Sequence, residues 1–245
     1  MSETPERNST VYRDETYPEA RVTSAFANGW KQLWKNFLIL ILIGIVALVF
    51  SGFAGFFKTV GQIGGALVEH GDFLSVLGFS MAAGGYFVSS IYGLLVMAPL
   101  NYGVSFANLK AARNNRVDLT DMFKGFENYI NAVLATLLVT VLAGIGFIFF
   151  VIPGIYIGCK LAFTPFLVVD RKMNAVDAVR ESWDMTHGYA FKIFLIGLLA
   201  IPITIAGVCF FIVGLIPALM WIKLTYASLY HAITIEDETD AEMYG

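Results

Sequence analysis

The chain has 245 residues, of which 57% are hydrophobic and only 14% charged, with a formal net charge of −3. Soluble domains carry about 25% charged residues, and here the deficit is gathered into long uncharged runs, which excludes an ordinary soluble domain and points to a membrane protein. The near-neutral balance, with basic residues confined to short segments, excludes a nucleic-acid partner.

Residues 1–18 mix Pro, Ser, Thr, Glu and Arg without an apolar period and are expected to form a disordered cytosolic tail. Residues 19–35 differ. Val22, Phe26, Trp30 and Leu33 recur at helical spacing, with Trp30 and Trp34 near the end. Tryptophan favours the membrane–water boundary, so this segment reads as an interfacial amphipathic helix anchored by Trp30 and Trp34.

Residues 37–57 form the first span, ended by Lys58. The Gly-rich stretch 59–83, which contains Glu69, His70 and Asp72, reads as an external loop, and 84–108 as a second span kinked at Pro99. After the basic segment 110–116, Leu119, Met122, Phe123 and Phe126 mark another short amphipathic helix, with Asp118 or Thr120 as its cap and Phe126 as an anchor. Residues 131–152 and 153–169 are the third and fourth spans, hinged at Pro153-Gly154.

Residues 174–187 form the third interfacial helix. Ala175, Val179, Ser182, Trp183 and Thr186 make one stripe, and Asp177, Arg180, Glu181 and Asp184 the other. Asn174 is placed to cap its start, Gly188 to end it and Trp183 to anchor it. Residues 190–215 and 217–235 are the fifth and sixth spans, and 236–245 an acidic, solvated tail. The expected fold is therefore all-α, a single membrane domain over 19–235 with about six transmembrane helices. With both termini in the cytosol, every basic residue except Lys58, Lys160 and Lys223 lies on the cytosolic side, as the positive-inside rule requires.

A repeated unit of amphipathic helix, span, turn and returning span is visible. Phe26-x-x-Gly29-Trp30, Met122-x-x-Gly125-Phe126 and Val179-x-x-Ser182-Trp183 align, as do Gly144, Pro153, Lys160 and Phe163 with Gly207, Pro217, Lys223 and Tyr226. Lys160 and Lys223 are the two charges within spans, and no span contains Asp or Glu. An intramembrane charge marks a functional position by default. Two readings stand: each lysine meets an anionic lipid or ligand, or each snorkels toward the outer leaflet. Pro99, Pro153, Pro165 and Pro217 are candidate helix breaks. Asp170-Arg171-Lys172, with Arg180 and Lys192, reads as a cytosolic charge cluster that orients the chain. Cys159 and Cys209 sit in apolar runs without a CxxC or Cys/His cluster, so neither a metal nor a cofactor is expected, and no catalytic motif is present.

Further short motifs are Pro99-Leu100-Asn101-Tyr102-Gly103, Asp121-Met122-Phe123-Lys124-Gly125-Phe126, Ile152-Pro153-Gly154-Ile155, Phe163-x-x-Phe166-Leu167-Val168-Val169-Asp170 and Ala178-x-x-x-Ser182-Trp183. Together they resemble the bacterial multi-pass domains grouped with the membrane domain of glycerophosphoryl diester phosphodiesterases and related uncharacterised integral membrane proteins. The resemblance implies a helical domain in the bacterial inner membrane. In that family a phosphodiesterase barrel can follow the membrane domain. The sequence stops at Gly245 without one, so no such activity is expected. The expectation is a non-enzymatic membrane protein that engages lipids, protein partners or further copies of itself. The alternative is a transporter or permease-like protein for an apolar, lipid-like or anionic substrate.

Overall fold

Backbone groups in hydrocarbon have no water to bond, so each long apolar run here must satisfy itself as helix. The computed structural model describes residues 20–68, 72–209 and 211–244, and among these every regular element is helical. The leading helix α1 spans Val22–Lys35. The first hairpin pairs α2, Phe37–Leu67, with α3, Asp72–Tyr92. A π-helical turn, Gly93–Met97, carries α3 on into α4, Ala98–Ala112. A 3₁₀ helix, Leu119–Phe126, leads to the second hairpin: α5, Tyr129–Phe149, against α6, Val151–Lys160, and α7, Thr164–Asp170. Helix α8, Ala175–Met185, leads to the third: α9, Ala190–Cys209, and α10, Phe211–Tyr244.

Five stretches among the described residues are long and apolar enough to cross a membrane: Phe37–Leu67, Leu74–Ala112, Tyr129–Phe149, Val151–Asp170 and Ala190–Cys209. The sixth expected span lies in α10, which is not among them. Leu224, Ala227, Leu229, Tyr230, Ala232 and Ile233 of α10 are buried in the protein. A helix so enclosed does not need the hydropathy of one facing lipid.

The expected loop 59–83 is instead most of a helical hairpin. Helix α2 continues past Lys58 to Leu67, and α3 returns from Asp72. Glu69 and His70 lie outside the described residues. The glycines are there for close approach: a methyl at Gly64 would stand 2.5 Å from the Ala82 nitrogen, and one at Gly85 would stand 2.6 Å from the Gly61 nitrogen. Small residues in membrane helices permit such backbone contact. At 1.5 Å per residue, α2 is about 46 Å long, well beyond a hydrocarbon core of about 30 Å.

Other boundaries also move. The second hairpin turns at Phe150, which is extended, so Pro153-Gly154 sits in the first turn of α6 rather than at the bend. Helix α10 runs through Pro217 without a break, and α9 ends at Cys209, so the third hairpin turns before Pro217. The segment expected to be a loose tail from 236 continues α10 to Tyr244. It is tied down at Glu236, whose carboxylate accepts the Ala20 N–H at 3.2 Å and the Tyr189 hydroxyl at 2.6 Å. The tail expected over 1–18 lies outside the described residues.

The three short helices dock in one pattern. The 3₁₀ helix packs on α4, α8 packs on α7 and the end of α6, and α1 packs on α10. Each leading helix thus rests on the returning helix of the preceding hairpin, and α1 closes the ring on the last. The aligned small residues make the contacts. Gly125 meets Pro99 and Gly103, Ser182 meets Lys160 and Phe163, and Gly29 meets Thr225. The returning helices α4, α7 and α10 form the centre and hold most of the buried residues. The end carrying the leading helices is called the interfacial end below, and the opposite end the distal end.

Candidate functional site

The centre of interest is the junction between α6, α7 and α8. Helix α6 stops at Lys160, residues 161–163 turn, and α7 begins with Pro165 in its first turn. Of the candidate breaks, Pro165 marks this interruption and Pro99 follows the π-helical turn. The Thr164 N–H turns to Leu161 at 3.2 Å, which frees the Lys160 carbonyl from its helical partner. Ser182 of α8 repairs the loss. Its hydroxyl donates to the Lys160 carbonyl at 2.9 Å and accepts the Phe163 N–H at 3.2 Å. The Thr186 hydroxyl lies 3.1 Å from the same carbonyl and 2.7 Å from that of Ser182. Ser182 and Thr186 are fully buried, so no water substitutes for them at the surface. Asn174 caps α8 by accepting the Asp177 N–H at 2.9 Å, and Gly188, with φ +84°, lets the chain leave it.

Lys160 is 2% exposed. Its ammonium donates to the Trp183 carbonyl at 3.2 Å and lies 5.5 Å from the Trp183 ring centroid and 5.9 Å from that of Tyr156. The Trp183 carbonyl is at the C-terminal end of α8, where a cation is favoured. Snorkelling to the outer leaflet is therefore overturned for Lys160. The break brings α8 beneath it, and its charge is met by a helix end and two rings rather than by the turn at Phe150. No carboxylate pairs with it among the described residues.

Lys160 lines a groove of about 660 Å³ between α6 and the start of α9. Ile155, Tyr156, Phe191 and Phe194 give it apolar walls, and His187 stands at its rim with Lys160. A smaller cavity of about 280 Å³ lies alongside, reached by Cys159 and Tyr226. Lys223 lines neither, so the two lysines do not share a site. The expected anchors Trp30, Trp34, Phe126 and Trp183 are all partly exposed. Trp30 and Trp34 pack edge to face, Phe126 stacks on Tyr129, and Trp183 meets Tyr156.

The expected charge cluster is rearranged. Asp170 pairs not with its neighbours but with Arg113 of the α4 end, in a two-pronged bridge of 2.6 and 2.7 Å, and the Tyr230 hydroxyl adds a longer contact at 3.4 Å. Burial pulls the Arg113 guanidinium down, but the Asp170 hydrogen bonds and charge outweigh it and hold it above its ordinary value. Arg171 instead pairs with Glu181 at 3.1 Å, and Lys192 donates to the Ala20 carbonyl at 2.6 Å. Ser182 and Thr186 were visible in sequence only as members of a stripe. A Pro165 within a span, followed by paired hydroxyls four residues apart on the next helix, is the signal that identifies their role.

Comparison with protein-family models, with curated proteins and with solved structures finds no match.

Proposed function

We propose that this chain is a non-enzymatic integral membrane protein that holds an anionic lipid in the groove at Lys160. One observation carries the reading: a buried lysine without a carboxylate lines an apolar groove in a membrane-spanning region. Such a groove suits an acyl chain along Ile155, Phe191 and Phe194, and an ammonium beside it suits a headgroup anion. The asymmetry of Lys and Arg supports an orientation with both termini in the cytosol. The motif resemblance supports a place in the bacterial inner membrane. Native mass spectrometry of the full chain tests the reading. Phosphatidylglycerol stays bound to the wild-type chain and leaves when Lys160 is replaced by Met; equal retention by both would end it.

A second reading, transport of an amphiphile, is favoured by the broken helix at 161–163 next to the groove, since broken helices line transport pathways. Saturable flux of a labelled lipid in reconstituted vesicles, lost on Ser182→Ala, is its expected signature.

A further inference from the structure

The smaller cavity, of about 280 Å³, and the Lys160 groove share two residues of α6, Ile155 and Cys159. At about 100° per residue these two form one ridge along the helix. Ile152, Tyr156 and Lys160 stand on one flank of the ridge and line the groove. Gly158, with Ala162 just past the helix end, stands on the other flank and lines the cavity. Helix α9 serves both lobes, through Phe191 and Phe194 in the groove and Ile193 in the cavity. Only the cavity reaches α10, at Tyr226.

The lobes meet at one height, because Gly158 and Ala162 bracket Lys160 in the chain. The ridge between them is not covered: Ile155 is 38% exposed, and Gly158 is exposed. The side chains around the cavity are apolar apart from the Cys159 thiol and the Tyr226 hydroxyl. That hydroxyl lies against Gly197, 3.2 Å from where a methyl would stand, and no described residue gives it a hydrogen bond. A phenol among apolar side chains suits an acceptor brought in by a ligand.

We infer that groove and cavity are one forked site, which takes a glycerophospholipid with two acyl chains. The ridge of Ile155 and Cys159 parts the chains. One lies in the groove along Phe191 and Phe194, and the second enters the cavity past Gly158. The Tyr226 hydroxyl donates to the ester carbonyl of the second chain, beside Lys160. A single-chain amphiphile fills the groove and leaves the cavity without contacts, so the fork selects against it. The inference rests on the Lys160 reading for its headgroup anion, whereas the fork itself is set by the ridge.

The test offers the full chain, in detergent, equal concentrations of phosphatidylglycerol and its single-chain lyso form, and reads retention by native mass spectrometry. The wild type is expected to retain the two-chain lipid at least tenfold over the lyso form. A methyl at Gly158 meets nothing within 4 Å, so Gly158→Leu projects a side chain into the cavity. It is expected to bring the two lipids within twofold, by lowering retention of the two-chain lipid alone. Equal retention in the wild type, or a preference untouched by Gly158→Leu, overturns the fork; if Lys160→Met still releases both lipids, the Lys160 reading survives that failure. A preference lost in Gly158→Leu but indifferent to Lys160→Met keeps the fork and ends the Lys160 reading. Retention of neither lipid overturns both. A second measurement needs no variant, and so covers a Gly158→Leu chain that fails to fold. Phosphatidylglycerol carrying a photoreactive diazirine in each chain is expected to label Tyr226 as well as Phe191, and label on Phe191 without Tyr226 also overturns the fork.

Discussion

Two of the three junctions in the ring solve the same packing problem by opposite means. Where the 3₁₀ helix meets α4, glycine faces glycine, and a methyl on Gly103 or Gly125 would collide with the Met122 or Pro99 carbonyl oxygen. The contact is backbone on backbone and leaves no space. Where α8 meets α6 and α7, the small residue is Ser182, the returning helix is broken, and hydroxyls complete the hydrogen bonding that the break removed. The first junction is closed at its glycines, with the Lys110–Asp121 ion pair at 2.8 Å beside them. The second is interrupted, sealed by side-chain hydroxyls and flanked by the groove of about 660 Å³. A quasi-repeated frame thus keeps two junctions tight and continuous, and concentrates irregularity at the third.

The comparison can be broken at each junction in turn. The largest effect is expected for Gly125→Ala, because its methyl meets backbone that cannot rotate away. A loss of about 3 kcal/mol is expected on the overpacking scale, read as thermal unfolding in detergent; a near-native unfolding temperature would show that the 3₁₀ helix is not held by this contact. Next is Ser182→Ala, which strands the Phe163 N–H and leaves the Lys160 carbonyl to the Thr186 hydroxyl alone. A loss of about 1–2 kcal/mol is expected, together with faster hydrogen exchange at residues 161–164. Exchange unchanged there would mean that the break is sealed by something other than α8.

Gly29→Ala is expected to cost about 1 kcal/mol, since its methyl would stand 3.0 Å from the Thr225 hydroxyl and 3.2 Å from the Thr225 nitrogen, so that α1 must shift by a few tenths of an ångström. A loss as large as that of Gly125→Ala would make the α1 junction as closed as the first. The smallest effect concerns charge. The Lys124 hydrogen bond holds the Glu127 carboxyl below its ordinary value. That contribution is present above the ordinary carboxylate range and fades as pH falls through the lowered value. Both groups are exposed, so mild acid is expected to leave the unfolding temperature unchanged. A clear drop that vanishes in Glu127→Gln would give this pair an unexpected weight.

Much of the fold was legible because lipid enforces simple rules. Long uncharged runs became helices, and the leading helices at Trp30, Phe126 and Trp183 appeared where aromatic and small residues recurred. The residues that misled were Gly, Pro and Lys. Gly61, Gly64, Gly78 and Gly85 lower hydropathy and resemble a loop, yet they are what lets α2 and α3 touch. Pro217 resembles a turn, but a proline within a helix is tolerated when its neighbours compensate. Lys160 and Lys223 look equivalent by spacing. Only the three-dimensional path of α8 separates them, and that path depends on the break at 161–163. The buried stripe of α1 is Ala25, Gly29, Gln32 and Leu33 rather than the aromatic line through Phe26 and Trp30, because close docking on α10 selects small side chains.

The closure of α1 on α10 has a consequence in time. The Trp221 indole donates to the Phe26 carbonyl at 3.1 Å, and Asn28 reaches Ser228 at 3.0 Å, across nearly the full length of the chain. During synthesis α1 emerges before α10, its main docking surface, with all the other helices between them. Until α10 has been inserted, α1 has only the end of α4, through Asn28 to the Ala112 carbonyl at 3.2 Å and Gln32 to Asn114 at 3.3 Å, and the membrane surface, which its exposed tryptophans suit. The ring therefore locks only once translation has passed α10, and a chain truncated before Trp221 would hold its first helix by the end of α4 alone however well the first two hairpins had folded.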